Sequence, residues 1–143
     1  MMTNKELMFK FISYIYNKGL ITKFLINIFN YQNFSEINYI FRVSLEDNYV
    51  IMDVFDNISA NRFNRYFFDF GRNKYKFKVE ELSNVFLSRI NISNLKNNNT
   101  NQNNLLKLAY LFKLSHSRMI NYAKKFLDEE FVTILRDIIS DIT

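Results

Sequence analysis

An α+β fold is what this sequence predicts, with helices at both ends and an antiparallel sheet between them. Three observations carry that expectation. Apolar residues recur with a helical period near both ends, they alternate between positions 37 and 79, and turn-forming clusters separate the runs. At 143 residues the chain is long enough to bury a core without disulfides or metals, and it reads as one domain, 1–143. Its expected parts are a helical hairpin over 1–30, a sheet over 37–79, and a helical portion over 80–143 containing a mobile Asn-rich loop at 93–104.

In the first part, Leu7, Met8, Phe11, Ile12, Ile15 and Tyr16 form one helical stripe. Leu20, Ile21, Phe24, Leu25, Ile28 and Phe29 repeat its spacing, and Lys18-Gly19 between them is a stop and a corner. The period then changes. Ile37, Tyr39, Phe41, Val43 and Leu45 share one face of a strand opposite Asn38, Arg42 and Ser44. Glu46-Asp47-Asn48 is a turn into a second strand, Tyr49–Phe55. Arg62–Phe70 and Lys74–Val79 predict another hairpin through Gly71-Arg72-Asn73, giving a meander of about four strands with one face on helices.

Helical spacing returns over Glu80–Asn91 through Leu82, Val85, Phe86 and Ile90. Residues 93–104, SNLKNNNTNQNN, have almost nothing to bury and predict a loop. Helices are expected at 105–113 and 116–126, and a last one from Asp128, a good N-cap followed by Glu129 and Glu130, to Ile142. The stripe of that last helix, Phe131, Ile134, Leu135, Ile138, Ile139 and Ile142, suits either the domain core or a homodimer surface.

Composition excludes several classes. The chain has no cysteine and one histidine, so disulfides, thiolate sites and zinc are not expected. Two glycines leave no room for a phosphate-cradling glycine loop, and no cofactor is expected. With 16 Phe and 9 Tyr the chain should fold rather than stay disordered. Proline is absent and alanine occurs only at Ala60, Ala109 and Ala123, while Asn, Ile, Lys, Phe and Tyr dominate. Those five have A/T-rich codons, which points to an AT-rich genome such as a low-GC bacterium, its phages or a large DNA virus. Lys10, Lys18 and Lys23 interrupt the apolar 7–29 segment and no small-residue cleavage site follows, so a soluble cytoplasmic protein without a membrane partner is expected.

The net charge of +5 is unevenly placed. Residues 62–78 carry +5 and residues 105–126 carry +5, whereas 35–61 and 127–143 carry −4 each. In the first basic block, Lys74, Lys76 and Lys78 alternate with Tyr75, Phe77 and Val79, and Arg72 sits at the turn. Such a face suits a phosphate backbone or an acidic protein, and it also suits a solvated face whose lysines discourage edge pairing.

The second block contains LAYLFKLSHSRMINYAKKF, residues 108–126. This stretch resembles the helix-turn-helix segment of bacterial and phage DNA-binding regulators. Ala109 matches the small residue where the two helices touch, Leu108 and Phe112 the apolar positions of the first helix, and Leu114 that of the turn. Met119 and Tyr122 match the inward positions of the second helix. The resemblance implies that Ser115 caps the second helix, and that Ser115, His116, Ser117, Ile120, Asn121 and Lys124 face a DNA groove. Arg118 and Lys125 then reach flanking phosphates. Lys113 stands where the family normally has glycine, so the turn must either take a strained backbone or differ.

No catalytic constellation is legible. His116 beside Ser115 and Ser117 makes no base–nucleophile pair by adjacency alone, and Asp53, Asp56, Asp69 and Lys76 fit no metal-nuclease spacing. Two readings follow. One is a small non-catalytic regulator that binds double-stranded DNA through 105–126, of the kind phages and mobile elements carry. The other is an inhibitor, anti-CRISPR-like or otherwise anti-defence, that occludes a host protein through its acidic or nucleic-acid-binding surface.

Overall fold

The computed structural model of the protein describes residues 2–29, 39–56, 62–71, 76–81, 88–91 and 102–142. The fold is α+β. Helices α1 (Asn4–Asn17) and α2 (Ile21–Phe29) come first. Strands β1 (Tyr39–Glu46), β2 (Tyr49–Asp56), β3 (Arg62–Asp69), β4 (Lys76–Glu81) and β5 (Ser88–Asn91) follow. Helices α3 (Gln102–Leu111), α4 (His116–Ala123) and α5 (Glu129–Ile142) complete it.

The predicted hairpin of helices forms where the stripes placed it. The Thr3 hydroxyl caps α1 by accepting from the Glu6 amide at 3.2 Å. At the other end Gly19 takes a positive φ of 73°, and the Leu20 amide donates back to the Ile15 carbonyl at 3.0 Å. This is the six-to-one closure of a Schellman turn, which a side chain at Gly19 would strain.

Antiparallel pairing runs in sequence order from β1 to β5. The β1–β2 hairpin turns through Asp47 and Asn48, with Glu46 opposite Tyr49 and Asp47 at φ 47°, a conformation Asp tolerates better than most residues. One sheet face carries Phe41, Val50, Met52, Val54, Tyr66 and Phe68 into a single core with all five helices. The helix side of that core is aromatic. The Phe11 ring meets Phe24 and Phe112 at 5.8 Å each, and Phe24 meets Phe131 at 5.3 Å in an edge-to-face pair.

Several expectations need correction. Both ends of the helix expected over Glu80–Asn91 are strand instead: Glu80 and Glu81 end β4, and Ser88–Asn91 is β5, with Phe77 opposite Ile90, while residues 82–87 lie outside the described residues. Helical spacing lost there because pairing along β4 satisfies backbone groups that an exposed strand edge would leave open. The last three residues of the expected loop, Gln102, Asn103 and Asn104, instead begin α3. Residues 92–101 lie outside the described residues, as do Ile37 and Asn38 of the expected first strand. The helix expected over 116–126 stops at Ala123, with a turn over 124–126.

Two asparagines tie the helices together. Asn27 of α2 donates through Nδ2 to the Phe126 carbonyl at 2.9 Å and accepts through Oδ1 from the Asp128 amide at 2.8 Å. Asn4 of α1 donates to the Leu114 carbonyl at 3.0 Å, and its Oδ1 lies 3.2 Å from His116 Nε2. Both turns flanking α4 are thereby held from outside. Asn27→Ala is expected to cost about 1–3 kcal/mol, because it leaves the Phe126 carbonyl and the Asp128 amide without their partner. Urea unfolding measures it, and an unchanged midpoint would show that water replaces both bonds without loss.

The stripe of α5 is used inside the domain. Phe131, Val132, Leu135 and Ile138 are buried, and Ile134, Ile139 and Ile142 pack against the same core. Among the described residues, no helix is long and apolar enough to cross a membrane.

Candidate nucleic-acid interface

The helical pair at 102–123 is built from residues that split cleanly by side. Leu105, Leu106, Leu108, Ala109, Leu111 and Phe112 are buried from the α3 side, as are Met119 and Ala123 from α4. Since α4 turns about 100° per residue, the face opposite Met119 and Ala123 is centred on Asn121. Ser117, Arg118, Asn121, Lys124 and Lys125 are all exposed. The stretch 105–126 contains no Asp or Glu, so this face is cationic without internal compensation. With eight residues, α4 is roughly 12 Å long.

Two of the expected outward residues sit differently, and a third, Ser115, is exposed as expected but does not cap. Ile120 is half-buried and packs against the core. His116 is half-buried against Asn4, so its ring is spent on fixing the helix start. Ser115 occupies the N-cap position with an extended backbone, φ −65° and ψ 154°, but its hydroxyl makes no capping bond. Instead its Oγ lies 3.3 Å from Ser117 Oγ. Helical phase explains Ile120 and His116: both lie closer to the buried side of α4 than Asn121 does.

The turn at Lys113 departs from the glycine-containing pattern without strain. Asp47 is the single non-glycine residue at positive φ among the described residues, so Lys113 keeps ordinary backbone geometry. Its ammonium instead reaches the sheet, lying 3.9 Å from the Phe70 ring centroid and donating to the Asp69 carbonyl. A side chain of that length ties the turn to β3, a task glycine cannot perform.

The exposed face of α4 divides between two depressions. Ser117, Arg118, Asn121 and Lys125 line a groove of about 310 Å³ together with Tyr110, Leu114 and Tyr122. Lys124 lies on the other flank, in a depression of about 270 Å³ shared with Glu129 and Arg136 of α5. In the first groove Tyr110 and Tyr122 meet edge-to-face at 5.0 Å, and Lys125 Nζ lies 5.5 Å from the Tyr122 ring. The Tyr122 hydroxyl is pushed up to about 12, chiefly by burial and then by the neighbouring Tyr110. It is therefore a neutral donor at physiological pH.

Of the second basic patch, Arg72 and Lys74 lie outside the described residues. Lys76 and Lys78 belong to β4, which pairs with β3 on one side and β5 on the other. Among the described strands β4 is therefore not an edge. Register sets Phe77 and Val79 opposite the buried Phe68 and Tyr66, and Lys78 opposite Phe67.

Of the carboxylates weighed as a metal site, Asp53 and Asp69 have other duties, and the side chain of Asp56 lies outside the described residues. Asp53, 2% exposed, accepts from Arg65 Nε at 2.8 Å and Arg42 Nη2 at 3.0 Å on the sheet face opposite the helices. Asp69 Oδ1 accepts from the Gly71 amide at 2.8 Å. Among the described residues, no three His, Cys, Asp or Glu side chains gather as a metal site would require. Sequence reasoning missed the aromatic groove, because Tyr110 follows the helical contact residue Ala109 and carries no motif of its own. A basic run interleaved with tyrosines was the available signal.

Comparison of the chain with protein-family models, with curated proteins and with solved structures finds no match.

Proposed function

We propose that the protein is a small non-catalytic DNA-binding module, of the regulator type carried by phages and mobile elements, that acts in the cytoplasm through α4. One observation supports this reading above the others. The exposed face of α4 presents Arg118, Lys124 and Lys125 around Asn121 and Ser117, on a segment free of carboxylates. Cations around a central amide match a division of labour in which phosphate contacts set position and a base-edge contact reads sequence. Asn121 suits adenine, which offers a donor and an acceptor to an amide.

A mobility shift on AT-rich duplex, titrated with salt, tests the reading. Lys124→Ala is expected to weaken binding to every sequence and to reduce the salt slope by about 0.9. Asn121→Ala should relax preference at one base pair and leave the slope alone. Absence of any shift at low salt would end the proposal.

The inhibitor reading draws support from a different place. Tyr14, Tyr16, Ile40, Leu45 and Tyr49 are exposed, and tyrosine and aliphatic side chains of this kind anchor protein interfaces. Recovery of a stoichiometric host protein, lost on Ile40→Asp with Tyr16→Ala, would favour it. Recovery of none would count against it.

A further inference from the structure

The DNA-binding reading uses the cations of α4 but leaves the two tyrosines beside them without a role. We propose that the groove between α3 and α4 seats one backbone phosphodiester, from the DNA strand that lies on the α3 side of α4. Arg118 and Lys125 supply the charge, and the hydroxyls of Tyr110, Tyr122 and Ser117 donate hydrogen bonds. The proposal rests on the DNA-binding reading and adds which strand is held and by what.

Shape and chemistry both point to a phosphate. A base edge is read by side chains that protrude, whereas a depression of about 310 Å³ accepts a group that enters it. Its lining has two cations, an amide and three hydroxyls, and no carboxylate. An acceptor-only anion can use both cations and all three hydroxyls, which leaves the Asn121 amide to the base edge. The edge-to-face packing of Tyr110 on Tyr122, continued by Tyr122 on Phe126 at 5.8 Å, limits how far the phenols can swing. Lys125 is drawn to the same place by the Tyr122 ring. The raised ionisation of Tyr122 keeps it a donor rather than a competing anion.

The two flanks of α4 are unequal. On the α5 side Lys124 and Arg136 share their depression with the Glu129 carboxylate, which offsets one of the two cations. A strand on the α3 side therefore meets two uncompensated cations and neutral donors, while the opposite strand meets a weaker field.

The test exploits the difference between charge and hydroxyl. A cation on a phosphate releases a counterion and a phenol does not, so removing a hydroxyl lowers affinity without changing the salt slope. Tyr110→Phe and Tyr122→Phe keep the rings, and their melting temperatures report whether packing is intact. Each is expected to weaken duplex binding about tenfold at constant slope. Arg118→Gln with Lys125→Gln should lower the slope by about 1.8, with Lys10→Gln as an unaffected control. Phosphate ethylation on the tightest duplex selected from a random pool should interfere mainly on one strand. If the phenylalanine variants bind like wild type, or ethylation interferes equally on both strands, the phosphate seat is wrong while DNA binding stands. If the wild-type protein shifts no duplex, both fall.

Discussion

Phe11→Ala is expected to destabilise the fold by about 3–5 kcal/mol, the largest single effect foreseen for this protein. The side chain is fully buried in α1, and its ring touches both Phe24 of α2 and Phe112 of the α3–α4 turn. Truncation removes the transfer free energy of the ring and opens a cavity that rigid neighbours cannot close. Two aromatic contacts go with it, each worth about 0.5–1.5 kcal/mol beyond area. Because Phe112 loses a neighbour, the turn that sets α4 should loosen too. Urea unfolding followed by far-UV circular dichroism measures the loss. A fall of less than about 1 kcal/mol would mean the helices repack around the gap, against the close-packed core described above.

Arg65→Met is the second large effect, expected at about 2–3 kcal/mol, somewhat below the range for a fully buried pair. Asp53 is almost completely withdrawn from water, and Arg65 is its better-shielded partner, with a side chain 29% exposed. Arg42 remains in the variant, but its side chain is 65% exposed, and solvent screens much of what it can contribute. The cost comes from leaving a buried carboxylate half-compensated rather than from the intrinsic strength of the ion pair. A double variant, Arg65→Met with Asp53→Leu, should recover most of the loss because the stranded charge is gone. Equal stability of Arg65→Met and wild type by chemical denaturation would show that the carboxylate is solvated after all. Failure of the double variant to recover would place the role of Arg65 in packing instead.

Part of this arrangement could be read from the chain. A two-residue turn at Asp47-Asn48 puts Glu46 opposite Tyr49, and counting back puts Arg42 opposite Asp53. Arg65 could not be assigned that way, since nothing in the chain sets the register of β2 against β3. The same contrast holds for the helices. The α1 and α2 stripes and the Gly19 corner are local, and they formed as read except at Tyr16, which is exposed at the end of the α1 stripe. Glu80–Asn91 carried helical spacing as well, yet a neighbouring strand captured both of its ends.

The α4 face shows the limit at finer scale. Met119 and Ala123 could be called inward and Asn121 and Lys124 outward from period alone. His116 and Ile120 could not, because their exposure depends on Asn4 and on helices far away in sequence.

By itself, then, the sequence determined the fold class, the helical stripes, the first hairpin and the segment in which positive charge accumulates. These are consequences of side-chain period and turn chemistry, which act over a few residues. Only the tertiary structure decided that Glu80, Glu81 and Ser88–Asn91 belong to the sheet, that Asp53 is clasped by two arginines, and that Tyr110 and Tyr122 wall a cationic groove beside α4. Each of these joins groups that are distant along the chain, and the free energy that joins them comes from burial and pairing that exist only once the whole core has closed.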